Sequence, residues 1–72
     1  MTMDEWAALN PKLRQALADA GMPLGPRQQL FIDTSTLWVR EYLPDDRGSH
    51  NLTDVRRASP RQLAALKGLW QQ

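Results

Sequence analysis

The 72-residue chain contains no cysteine. That absence removes a disulfide framework, a thiolate metal site and a cysteine nucleophile together. There is one histidine, His50, which excludes His-rich metal sites and most catalytic triads. No apolar run approaches the roughly 18 residues of a membrane span. The opening Met1-Thr2-Met3-Asp4-Glu5 is acidic where a secretory leader needs a basic start. Net charge is only +1. No glycine-rich phosphate cradle is visible, and Asp4-Glu5 and Asp45-Asp46 have no nucleophile near them in sequence. These absences lead us to expect a soluble, cytoplasmic, non-enzymatic binding protein, with no cofactor, no metal, no membrane contact and no small-molecule substrate.

What is present is one small domain's worth of apolar residues over 1–72, 42% of the chain, with eleven leucines and three tryptophans. A core of this size rarely supplies more than about 3–5 kcal/mol. Trp6, Trp38 and Trp70 are therefore candidates both for the core and for a protein interface, where tryptophan is a frequent anchor.

Local signals place the elements. Thr2 with Glu5 fits a capping box. A short helix through Trp6 and Leu9 is expected to break at Asn10-Pro11 and restart there, with Leu13, Ala16, Leu17 and Ala20 on one face and Gly21 as terminator. Ser59-Pro60 opens a last helix whose buried face is Leu63, Leu66, Leu69 and Trp70. Residues 44–51 read as a polar loop, and residues 52–58 as a helical turn or an edge strand.

Residues 27–43 admit two readings. As helices, Pro26 to Ile32 is followed by a turn at Asp33-Thr34, and Ser35 caps a helix over 36–43. There Trp38, Val39, Tyr42 and Leu43 share one arc and Leu37 falls on the opposite flank. As strands, Leu30 to Ile32 and Leu37 to Leu43 are β-favouring. Leu37, Val39 and Leu43 then alternate with Trp38, Arg40 and Tyr42. The linking Asp33-Thr34-Ser35-Thr36 does not have the glycine or Asn-Gly of a tight hairpin. The helical reading is preferred, giving a mainly α, compact helical domain with a helix-turn-helix-like centre; the alternative is α+β with a short hairpin at 30–43.

Charge is unevenly spread. Residues 47–67 carry Arg47, Arg56, Arg57, Arg61 and Lys67 against Asp54 alone. A basic half, rich in the side chain suited to phosphate, points to a nucleic-acid or acidic-protein partner.

In the helical reading, residues 12–47 resemble the helix-turn-helix of Cro- and phage-repressor-type regulators. The features are a helix ending at Gly21, a short helix near Arg27 to Ile32, and Ser35-Thr36-Leu37-Trp38-Val39-Arg40-Glu41-Tyr42-Leu43 after a polar turn. The chain departs from that pattern at Gln28-Gln29, where a small residue is usual, and at Asp33, where glycine is usual. The resemblance implies a DNA-binding transcriptional regulator of phage or plasmid type, a homodimer on double-stranded DNA. By position, Ser35, Thr36 and Arg40 would face DNA, and Arg27 a phosphate. Arg56, Arg57 and Arg61 would add phosphate contacts. The other class is a phage-encoded modulator of a host machine such as RNA polymerase, acting by protein–protein contact through Trp6, Trp38 and Trp70. Helix at 30–43 favours the first; a strand pair favours the second.

Overall fold

The computed structural model describes residues 1–44 and 50–70, with side chains described for 1–43 and 54–70. The element order is α1 (Met3–Asp19), β1 (Gln28–Asp33), β2 (Thr36–Pro44), β3 (His50–Arg57) and α2 (Pro60–Ala65). The chain divides into two compact units, one formed by Met1–Leu24 with the segment from Ser59 onward, the other by Gly25–Ala58. The fold is α+β: one long helix, one short helix and a three-stranded antiparallel sheet. The mainly α expectation with a helix-turn-helix-like centre is thereby overturned, and the hairpin alternative holds over a longer stretch than expected.

In the helical unit, α1 begins as its sequence dictates. The Thr2 hydroxyl accepts from the Glu5 backbone N–H at 3.1 Å, and the Glu5 carboxylate accepts from the Thr2 N–H at 3.2 Å. Hydrogen bonding of the Glu5 carboxyl to the Thr2 backbone N–H first, and to the Thr2 side chain second, holds it below its ordinary range. A carboxyl depressed on folding stabilises above its unfolded-state pKa, and that contribution fades as pH falls through the lower, folded-state value. Acidification below the usual glutamate range is therefore expected to fray the first turn of α1, read as loss of amide protection at Glu5 and Trp6.

The expected break at Asn10-Pro11 does not occur. α1 runs continuously with Pro11 inside it. Proline removes the bond to the carbonyl of Ala7, but Ala7 and Pro11 are both exposed, so water can serve that oxygen. Burial of Leu13 and Leu17, both fully inaccessible, favours one helix across the site. The C-terminus closes in a Schellman arrangement: Met22 N–H donates to the Leu17 carbonyl at 2.8 Å and Gly21 N–H to the Ala18 carbonyl at 3.0 Å. Gly21 takes φ +79°, which glycine adopts without penalty.

Ser59 caps α2 with a second box, its hydroxyl accepting from Gln62 N–H at 3.1 Å and its own N–H donating to Gln62 Oε1 at 2.8 Å. α2 is shorter than its leucine spacing predicts. It ends at Ala65, Gly68 turns at φ +95°, and Leu69 and Trp70 N–H both donate to the Leu66 carbonyl. Leu66 is fully buried, whereas Leu69 is 45% exposed, so the expected face is only partly used.

The second unit is a three-stranded antiparallel sheet in the order β1-β2-β3. Leu30 pairs with Val39, Ile32 with Leu37 and Phe31 with Trp38. Leu37 decides between the two readings of this stretch. On a helix it would sit away from the apolar arc; on β2 it is 1% exposed, beside Val39 at 1% and Leu30 at 3%. Strand periodicity buries all three on one side of the pleat. β3 is the edge-strand option for residues 52–58, and its Asp54, Arg56 and Arg57 put charge on a sheet edge, which discourages further pairing. A bulge lies where Glu41 pairs with Asp54 but Tyr42 pairs with Leu52.

The hairpin forms without the residues that usually permit it. Asp33 pairs with Thr36, leaving a two-residue turn in which Thr34 has φ +51° and Ser35 φ +61°. Positive φ at both positions is the type I′ pattern, normally filled by Asn-Gly. An L-residue there costs about 1–2 kcal/mol. Thr34→Asn with Ser35→Gly is expected to stabilise the protein by about 1–2 kcal/mol, read as a raised melting temperature and a raised urea midpoint. A lower midpoint would contradict this turn.

Candidate functional site: an arginine–aromatic sheet face

Antiparallel register sorts the side chains of the second unit by chemistry. Leu30, Leu37 and Val39 occupy one face with Gln28, Glu41, Asp54 and Arg56. The opposite face takes Gln29 and Phe31 from β1, Trp38, Arg40 and Tyr42 from β2, and Val55 and Arg57 from β3. Arg27, immediately before β1, extends this face: its carbonyl accepts the Tyr42 N–H at 3.0 Å, continuing the ladder one step. Three arginines thus share a face with three aromatic rings. Asp33, beside the turn, is the carboxylate on that face among the described residues.

The rings and guanidinium groups are in contact. Phe31 and Trp38 stack with centroids 6.3 Å apart and planes 17° from parallel. The Arg40 guanidinium lies 5.0 Å from the Phe31 centroid and 5.5 Å from that of Tyr42. Arg57 lies 5.5 Å from the Trp38 centroid. Phe31, Trp38, Arg40 and Tyr42 are half-buried, while Arg27 and Arg57 are exposed. A guanidinium over a ring contributes about 0.5–1 kcal/mol at an exposed site and more when desolvated.

Arg40 is the hub of the face. One of its terminal nitrogens donates to Gln29 Oε1 at 3.2 Å, while its buried Nε has no partner among the described residues. The Trp38 indole nitrogen is likewise buried and unpartnered. The face is therefore rich in donors and cationic planes and poor in acceptors.

Two other carboxylates of the sheet, Glu41 and Asp54, lie on the other side of the pleat. Glu41 Oε1 accepts from Gln28 Nε2 at 2.9 Å, and Gln28 Oε1 accepts from the Gly25 N–H at 2.9 Å. Asp54 pairs with Arg56, an exposed ion pair of little net worth.

The residues nominated from sequence are divided by this geometry. Arg27, Thr36, Arg40, Arg57 and Trp38 fall on one sheet face. Arg56 points to the opposite side. Ser35 is in the turn and caps no helix, so the placement of Ser35, Thr36 and Arg40 on a groove-entering helix is overturned: residues 36–44 are β2 because that conformation buries Leu37 and Val39 together. Arg61 is in α2, in the helical unit. Trp6 and Trp70 also belong there and meet edge to face, with centroids 6.3 Å apart and planes at 77°. Asp45, Asp46, Arg47 and the side chain of His50 lie outside the described residues. Phe31, Tyr42 and Gln29 are not among the residues nominated from sequence; the alternation of Trp38, Arg40 and Tyr42 along the strand is the signal for Tyr42, while Phe31 and Gln29 join through the β1–β2 register.

Comparison with family models, with curated proteins and with solved structures finds no match. Among the described residues no helix is long and apolar enough to cross a membrane.

Proposed function

We propose that this chain is a small, non-catalytic nucleic-acid-binding protein of the cytoplasm, holding its ligand on the arginine–aromatic face of the sheet and regulating by occupancy. The observation that carries the reading is the segregation of Arg27, Arg40 and Arg57 with Phe31, Trp38 and Tyr42 on one face, while Glu41 and Asp54 project on the other. Arginine supplies bidentate phosphate contacts, and planar rings supply base stacking. This replaces a groove-entering helix as the means of contact. It needs no helix at 30–43.

The test is a salt titration of oligonucleotide binding. Three phosphate contacts correspond to a slope of log K against log salt of about −2 to −3. Arg57→Gln is expected to make that slope shallower by about 1. Affinity that is flat across the same salt range contradicts the reading.

A second reading rests on the helical unit. Trp6 and Trp70 are half-buried against each other; Leu69 is 45% exposed, and Met3, one turn before Trp6, is 85% exposed. These residues give a protein-contact patch of the kind a transcription-machinery modulator would use. If it is such a patch, Trp6→Ala abolishes partner binding while oligonucleotide affinity is unchanged.

A further inference from the structure

We infer that the ligand of this face is single-stranded nucleic acid, gripped through its bases as well as its phosphates. The inference rests on the nucleic-acid reading above and specifies the state of the strand.

Three features of the face separate a single strand from a duplex. The first is the type of side chain. Duplex readers present polar groups to base edges in a groove, because the faces of paired bases are already covered by their neighbours. Phe31, Trp38 and Tyr42, with the guanidinium planes of Arg40 and Arg57 lying against them, instead form a set of flat groups on which an unstacked base can stack. The second is the state of the arginines. Arg40 lies against Phe31 and Tyr42, and Arg57 against Trp38, so each cation is already part of a stack. A guanidinium plane continues a stack of bases as a ring does. The third is dimension. Trp38 and Tyr42 are four residues apart on one strand, roughly 13 Å at the usual rise, with Arg40 midway between them. Bases on the two outer rings place the linking phosphate near the central cation, a repeat of ring, cation, ring that suits two or three nucleotides of extended chain.

Charge supports the same occupant. Among the described residues the face carries three arginines against one carboxylate at its turn end, with donors in excess of acceptors. A strand of phosphates and planar bases answers both properties. A polyanion with no bases answers only the charge.

The experiment is a set of fluorescence-anisotropy titrations of the full chain at one salt concentration. The probes are labelled dT8, labelled rU8, a labelled eight-base-pair duplex, and unlabelled heparin as competitor. The expected result is that at least one single strand binds about tenfold or more tightly than the duplex, and that heparin competes poorly at equal charge. A preference between rU8 and dT8, which differ in the sugar and in the thymine methyl, gives the favoured strand type, and either preference supports the inference. Phe31→Leu and Tyr42→Leu keep apolar bulk on the strand, and each is expected to weaken single-strand binding by about fivefold or more, a stacked base being worth about 1–3 kcal/mol, while leaving duplex binding unchanged. Circular dichroism checks that both variants fold. A duplex or heparin bound as tightly as the single strands, with binding still dependent on Arg40 and Arg57, overturns this inference and leaves the proposed function standing. Binding of none of the three labelled oligonucleotides overturns both.

Discussion

Replacing Arg40 and Arg57 together with glutamine is expected to reduce oligonucleotide affinity by a hundredfold or more at moderate salt. Each arginine contributes a charge-assisted hydrogen bond worth about 1.5–3 kcal/mol, and losing two of them corresponds to about 3–6 kcal/mol, with tenfold per 1.4 kcal/mol. Arg40 carries more than its charge, because its guanidinium sits between Phe31 and Tyr42 and bonds Gln29. Arg40→Lys therefore separates the two roles. A lysine keeps the positive charge but has no planar fork to lie on two rings. It is expected to preserve the salt slope while losing part of the affinity. Full affinity in the lysine variant would reduce the aromatic contacts to packing. Arg56→Gln is the internal control: Arg56 projects on the opposite side of the sheet and pairs with Asp54, so its loss leaves affinity nearly unchanged.

The second large effect is on stability. Leu17→Ala is expected to leave the helical unit unfolded at 25 °C. Leu17 is fully inaccessible, and its carbonyl also receives the Met22 N–H that closes α1. Removing a buried leucine side chain costs about 2–5 kcal/mol. A core at this length rarely supplies more than about 3–5 kcal/mol, so the loss approaches the whole. The measurement is helical ellipticity at 222 nm and its urea dependence. Leu69→Ala, at a position 45% exposed, is the contrast and should move the midpoint little. A cooperative transition in the Leu17 variant near that of the unaltered protein would contradict the packing described here.

Local chemistry makes the helix ends legible in the sequence. Thr2 with Glu5, Gly21, and Ser59-Pro60 each act through groups within a few residues, and each forms as expected, with Gln62 completing a box at Ser59 that the sequence reading does not include. Elements that depend on distant partners are less legible. Pro11 should break a helix in isolation, yet Leu13 and Leu17 are buried by a helix that continues through it. Gly68 shortens α2 against the pull of its leucine spacing. Residues 30–43 are the sharpest case. Trp38, Val39, Tyr42 and Leu43 satisfy a helical arc, and Thr34-Ser35 is a poor turn, so local signals favour helix. The sheet forms because Leu30, Leu37 and Val39 can be buried together only on a pleat, at the cost of two residues with positive φ.

The site was half legible for the same reason. Arg27, Arg40, Arg57 and Trp38 stand out as residue types, and the strand reading already set Trp38, Arg40 and Tyr42 on one side. Phe31 and Gln29 join them only through the pairing of β1 with β2, which no local pattern specifies. The strand pair was expected to favour a protein partner over DNA because base contact was tied to a helix. A sheet face carrying its own rings and cations removes that condition.

The most direct test maps the contact surface. Two-dimensional amide and side-chain NMR spectra recorded during titration with a single-stranded octanucleotide report every residue at once. The account predicts shifts at Arg27, Gln29, Phe31, Trp38, Arg40, Tyr42 and Arg57, including the Trp38 indole and Arg40 Nε protons, with α1 and α2 unmoved. Shifts confined to Trp6, Trp70 and Arg61, with the sheet signals unchanged, would contradict it.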